Sequence, residues 1–193
     1  MLQAIIKLLK LNHMKRTIVN PIFRDTATYL QTAAESNGKI TEFEMTLMPG
    51  GANPLHYHFT FSETFTAIDG DLGVRLGKKN KKILKPGESH TVEPMALHSF
   101  FNSTNREIRF NIQIQPGHEG FENSLRIIYG LAEDGLANKQ GIPKSLKHKA
   151  IVACMADMNI PGFFTLIFPL LKRIAKKAKD SGVEQQLIDR YCN

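Results

Sequence analysis

Between Gly38 and Gly117, apolar and polar residues alternate, and turn-forming pairs break the alternation at short intervals. Gly38 to Met48 puts Phe43, Met45 and Leu47 on one face, which predicts a half-buried strand ended by Pro49-Gly50-Gly51. His56 to Ile68 is a second extended stretch, rich in Phe and Thr and closed by Asp69-Gly70-Asp71. Leu72 to Leu76 and Ile83 to Lys85 flank a lysine-rich turn around Asn80 and read as a hairpin. Pro86-Gly87 marks another turn, and Ser99-Phe100-Phe101 leads into a turn at Asn102 to Asn105. Ile108, Phe110, Ile112 and Ile114 alternate with Arg109, Asn111, Gln113 and Gln115, the clearest strand in the chain. Many short strands at regular turn spacing predict a barrel or a sandwich.

The pattern changes after Gly117. Phe121 to Leu131, Lys147 to Met158, Phe163 to Lys179 and Val183 to Tyr191 suit helices. Leu166, Leu170, Ile174 and Ala178 recur every four residues and predict an apolar stripe. Such a stripe is expected to pack on the barrel or on a second subunit, or to close the barrel mouth. Pro169 is expected to kink that helix or to mark its start. The predicted division is an N-terminal arm (1–25), a β-barrel (26–117) and a helical extension (118–193).

Composition narrows the function classes. With 193 residues and 42% hydrophobic residues, the chain can build one domain with a real core and an appendage. The formal net charge of +7 resides largely in two lysine-rich clusters, residues 78–82 and 172–179. No aromatic residues interleave with them, so they read as a solvated turn and a solvated helix face, with no nucleic-acid partner expected. A membrane-surface helix is the sharper alternative for the second cluster. The apolar run Met158 to Leu171 falls short of the roughly 20 residues of a membrane span and contains Pro161, Gly162 and Pro169. The N-terminal MLQAIIKLLKLNHMK is a poor signal peptide, and its first 13 residues are read as a short amphipathic helix or as an extension before a start at Met14. A cytoplasmic protein is the expectation. Cys154 and Cys192 do not make a disulfide framework; free thiols and a single bridge both remain open.

The chemistry concentrates in three histidines and a glutamate. His56 and His58 stand two apart on an extended segment and therefore face the same side. Glu63 lies five residues further on, an odd offset that needs a bend or bulge before it can share that side. His98 follows two hairpin-like turns and can return on a neighbouring strand. Three imidazoles and a carboxylate suit one divalent transition metal (Fe, Mn, Ni, Co, Cu or Zn) rather than Ca²⁺ or Mg²⁺. His90, His13, His118 and His148 are expected to be structural or surface groups.

These residues stand in a recognisable frame. Gly50-x5-His56-x-His58-x4-Glu63-x6-Gly70 is similar to the first motif of the cupin family, and Pro86-Gly87-Glu88, Pro94 and His98-x3-Asn102 resemble the second. The family usually has proline and then glycine before this histidine. Here the segment reads Pro94-Met-Ala-Leu-His98, with no glycine and the proline one residue closer. The resemblance covers residues 38–117. It implies a mainly β fold, a double-stranded β-helix (jelly-roll) barrel with a C-terminal α-helical extension, and His56, His58, Glu63 and His98 as metal ligands. It also implies a homodimer.

Two functions follow. One is a metal-dependent enzyme of dioxygenase or isomerase type acting on a small apolar or aromatic molecule, with Glu63 remaining a ligand or leaving the metal as a general base. The other is a non-catalytic cupin that binds or senses a small ligand. Phe65 shares parity with Glu63, and Phe100 and Asn102 share parity with His98. All three are expected to line the cavity beside the metal, against the alternative of ordinary barrel core, which is the preferred reading for Phe100.

Overall fold

The strand with the clearest alternation lies inside the larger sheet. In the computed structural model, which describes residues 15–192, β10 (Ile108–Gln115) pairs antiparallel with β3 (Thr41–Leu47) on one side and with β5 (Ser62–Asp69) on the other. The first 13 residues, read as an amphipathic helix or an extension, and Met14 lie outside the described residues. The sheet extends through β2 (Asp25–Gln31) to β1 (Thr17–Asn20) at one edge and ends at β8 (Ser89–Val92) at the other, giving the order β1-β2-β3-β10-β5-β8. Thr17–Asn20, inside the stretch read as an arm, is thus the edge strand of this sheet.

A second sheet holds β6 (Leu72–Leu76) between β7 (Asn80–Leu84) and β9 (His98–Phe101). The short β4 (Tyr57–His58) pairs with β11 (Met158–Asn159). The inward residues are those the alternation selects. Phe43, Met45 and Leu47 of β3, Phe65 and Ala67 of β5, Val74 of β6 and Phe110, Ile112 and Ile114 of β10 form one buried cluster.

Four helices are described after the barrel: α1 (Glu119–Glu133), α2 (Leu146–Met155), α3 (Phe163–Asp180) and α4 (Val183–Tyr191). α1 lies on the barrel. Phe121 stacks on Phe43 at 6.0 Å between ring centroids, and the Tyr29 hydroxyl donates to the Glu122 carbonyl at 2.9 Å. The Glu122 carboxylate accepts from the Ala33 N–H and the Thr41 hydroxyl, and the Arg126 guanidinium lies 4.0 Å over the Tyr29 ring. Both cysteines are free thiols.

Two expectations for the extension are corrected. The second helix stops at Met155 instead of reaching Met158, because Asp157 takes a left-handed φ of 48° and Met158 turns into a strand. The stripe on α3 is also different. Leu166 and Leu170 are 79% and 56% exposed, whereas Phe168, Leu171, Ala175 and Ala178 are buried. At 3.6 residues per turn, steps of four drift by about 40° each, whereas alternating steps of three and four stay on one face. Leu166 and Leu170 therefore do not close the barrel mouth. The helix begins at Phe163 and runs through Pro169.

Asp25, 5% exposed, accepts a hydrogen bond from the Tyr129 hydroxyl at 2.9 Å. Burial pushes its carboxyl up to about 6. The folded state thus holds this proton more tightly than the unfolded chain. The group favours folding at pH below its unfolded value, and that contribution is lost as pH rises through about 6. Asp25→Asn should therefore gain about 2–3 kcal/mol relative to the wild type between about pH 4 and about pH 7. Denaturant unfolding of the two proteins in parallel checks this, and the difference cancels the titration of the histidines.

Candidate metal centre

The quartet is assembled by two backbone devices. The first is a cross-strand pair. His56 and His98 oppose each other antiparallel, with the His56 N–H donating to the His98 carbonyl at 2.9 Å and the His98 N–H donating to the His56 carbonyl at 2.8 Å. Their rings lie side by side with centroids 4.4 Å apart. His58, two residues along, faces the same way. The second device is a bend at Phe59 and Thr60, after which β5 resumes with Glu63, Phe65 and Ala67 pointing inward. The bend required by the odd offset is present.

The four side chains converge. One donor atom from each of His56, His58, Glu63 and His98 lies within 4.8 Å of every other. His56 Nε2 is 3.1 Å from His58 Nε2, His98 Nε2 is 2.6 Å from Glu63 Oε2, and His58 Nε2 is 3.5 Å from the same oxygen. The residues are 6%, 2%, 4% and 2% exposed in chain order.

The opposite side of each ring explains the orientation. Nδ1 of His56 faces the Pro54 carbonyl at 2.8 Å, Nδ1 of His58 the Ala156 carbonyl at 3.1 Å, and Nδ1 of His98 the Ala96 carbonyl at 2.8 Å. A carbonyl oxygen only accepts, so each Nδ1 carries the hydrogen and each Nε2 points inward. In neutral His56 and His58 the two Nε2 lone pairs then face each other at 3.1 Å. Moving a hydrogen to either Nε2 would only transfer the conflict to a backbone carbonyl. A cation between them resolves it, and this donor set fits a transition metal.

The electrostatics agree. Burial, reinforced by the neighbouring histidines, pushes His56 down to about 3. Burial also lowers His58 against the pull of Glu63. Burial alone would raise Glu63, but the three histidines outweigh it and hold the carboxyl at about 2. Burial alone would lower His98, but its hydrogen bond to Glu63 overrides this and leaves it above the ordinary histidine value.

Residues 43–114 match the family model described as the cupin domain. The barrel is a cupin domain. Similar solved structures include an uncharacterised conserved protein with a double-stranded β-helix domain from Klebsiella pneumoniae. It is 21% identical, with 47% of this chain and 75% of that chain covered and a TM-score of 0.42. A predicted oxalate decarboxylase from Thermotoga maritima is 20% identical over 48% of this chain and 80% of its own, TM-score 0.45. A sugar phosphate isomerase of the cupin superfamily from Silicibacter pomeroyi is 17% identical over 54% and 73%, TM-score 0.44. No curated protein matches the chain.

The departure in the second cupin motif has a structural counterpart. Met95 adopts a φ of 67° in the turn Glu93–Ala96, which is closed by an Ala96 N–H to Glu93 carbonyl bond of 3.1 Å. A methionine thus occupies a left-handed position that glycine would take without strain. The ligand is unaffected, because the Met95 N–H donates to the His58 carbonyl at 2.7 Å and so ties the turn to the site.

The three residues expected to line the cavity differ. Phe65 and Phe100 are buried in the barrel, with Phe65 5.9 Å from the His98 ring and 6.1 Å from Phe100. Asn102 instead holds a turn. Its amide nitrogen donates to the Leu47 and Arg106 carbonyls at 2.9 and 2.8 Å, and its oxygen accepts from the N–H and hydroxyl of Thr104. Its bonding capacity is used within the protein. His118, read as a surface group, caps α1 by accepting from the Phe121 N–H at 2.9 Å, and it packs on Phe61. The contacts of Ala156 and Asp157 with this centre had no recognisable signal in the sequence.

In metal-free protein near neutral pH, His56 and His58 should be neutral with the hydrogen on Nδ1, and His98 should keep its second proton to higher pH than an ordinary histidine. Long-range proton–nitrogen NMR of the imidazoles distinguishes these forms.

Proposed function

We propose that His56, His58, Glu63 and His98 hold one divalent transition metal and that the protein is a metal-dependent enzyme of oxygenase or isomerase type acting on a small apolar or aromatic molecule. The observation that carries the metal is the inward convergence of three Nε2 atoms and one carboxylate, each imidazole fixed from behind by a backbone carbonyl. The bound ion would supply Lewis acidity in a site shielded from water. The protein's own part is to exclude solvent, to keep His56 and His58 neutral, to aim His98 at Glu63, and to offer apolar surface at Phe65 and Phe100. Glu63 suits the role of ligand better than that of base, since a carboxyl held near 2 takes up a proton weakly.

The deep burial of all four side chains favours a second reading, a cupin that retains a small ligand without turnover. Elemental analysis comes first. The wild type should carry about one ion per chain, and His58→Ala and Glu63→Gln much less; equal metal content in all three would refute the assignment. Oxygen uptake and isomer formation by the metal-loaded protein, with flavonols, keto acids and sugar acids, then separate enzyme from binder.

A further inference from the structure

The cupin match ends at residue 114, yet one of the supports behind the quartet comes from far beyond it. His58 is the histidine whose Nδ1–H is received by Ala156, on the loop that follows α2. The next residue, Asp157, reaches the bend that sets the parity of Glu63. Its Oδ2 accepts from the Phe59 N–H at 3.2 Å and from the Thr60 hydroxyl at 2.6 Å, and its carbonyl accepts from the same Phe59 N–H at 3.2 Å. Met158 then pairs with His58 and Asn159 with Tyr57, with the Asn159 amide donating to the Tyr57 hydroxyl at 3.1 Å. Four consecutive residues of the extension thus grip four consecutive residues of the barrel, Tyr57 to Thr60.

The left-handed φ of 48° at Asp157 makes this possible. It stops α2 and turns the chain so that the Ala156 carbonyl, the Asp157 carboxylate and the β11 edge all face β4. Asp and Asn tolerate this conformation better than other side-chain-bearing residues.

We infer that Ala156 and Asp157 are positioning residues of the metal centre: the helical extension sets the ring of His58 and the bend that brings Glu63 beside it, so that metal affinity depends on how the extension is seated. This rests on the metal reading above. Groups behind metal ligands commonly change affinity by about 10–100-fold when removed.

The test uses the full chain with Zn²⁺ and Co²⁺ as probes. Asp157→Gly removes the carboxylate while permitting the backbone conformation. Asp157→Asn keeps one oxygen able to accept from both Phe59 and Thr60. Thr60→Val, a milder change at a more exposed position, removes one of the two donors. Competition with a chromophoric chelator should show a fall in Zn²⁺ affinity of about 10–100-fold for Asp157→Gly, a smaller fall for Thr60→Val, and near wild-type binding for Asp157→Asn. The Co²⁺ absorption bands should change in the same order. In metal-free protein the His58 Nδ1–H resonance should broaden or shift in Asp157→Gly while far-UV circular dichroism is unchanged, a signature that a purely structural role would not give. If the wild type binds Zn²⁺ and Asp157→Gly and Thr60→Val bind it equally well, the inference is overturned and the metal reading stands. If the wild type binds neither ion, the metal reading falls and takes the inference with it.

Discussion

A carboxylate that is 4% exposed sits inside this barrel with three imidazoles as its closest charged or chargeable neighbours. Removing such a group from water costs several kcal/mol unless the surroundings replace its solvation. Here the replacement is a single shared oxygen, Oε2 of Glu63, facing His98 at 2.6 Å and His58 at 3.5 Å. Nearly every local feature of the barrel serves that arrangement. The His56–His98 strand pair, the bend at Phe59–Thr60, the Met95 turn and the three backbone carbonyls behind the rings all keep the histidines turned toward the carboxylate. The arrangement contains one conflict, two imidazole lone pairs face to face, which a cation between them would remove.

The sequence carries much of this openly. A period of two survives in β3, β5 and β10 because one face of each is buried and the other is half-exposed, so hydrophobic alternation records the fold directly. The spacing of His56 and His58 records a shared face for the same reason, and the odd offset to Glu63 records the need for a bend. Other elements leave little trace. β8 has a single buried residue, Val92, and cannot be told from a loop by pattern. The end of α2 is set by an aspartate in a left-handed conformation, where glycine or asparagine is the usual stop signal. Asn102 shares the parity of a ligand but spends its amide on a turn, a choice visible only when its partners are known. On α3 the repeat of four drew attention to Leu166 and Leu170, while the buried face follows the mixed spacing of Phe168, Leu171, Ala175 and Ala178.

The extension also answers a problem of the barrel itself. β4 is two residues long and lies beside β9 through the His56–His98 pair, which leaves its other edge with unpaired backbone groups next to a buried site. Buried backbone groups without partners are costly, and an exposed strand edge invites pairing with other chains. β11 occupies that edge, and beside it Ala150 of α2 and Phe168 of α3 pack in one cluster with Phe59, the residue that follows β4. The strand that carries a ligand and the helices that follow the barrel are therefore stabilised by the same contacts. Loosening the extension would expose the β4 edge and release the ring of His58 together, which makes the helical segment part of the site's architecture and sets this chain apart from a bare barrel.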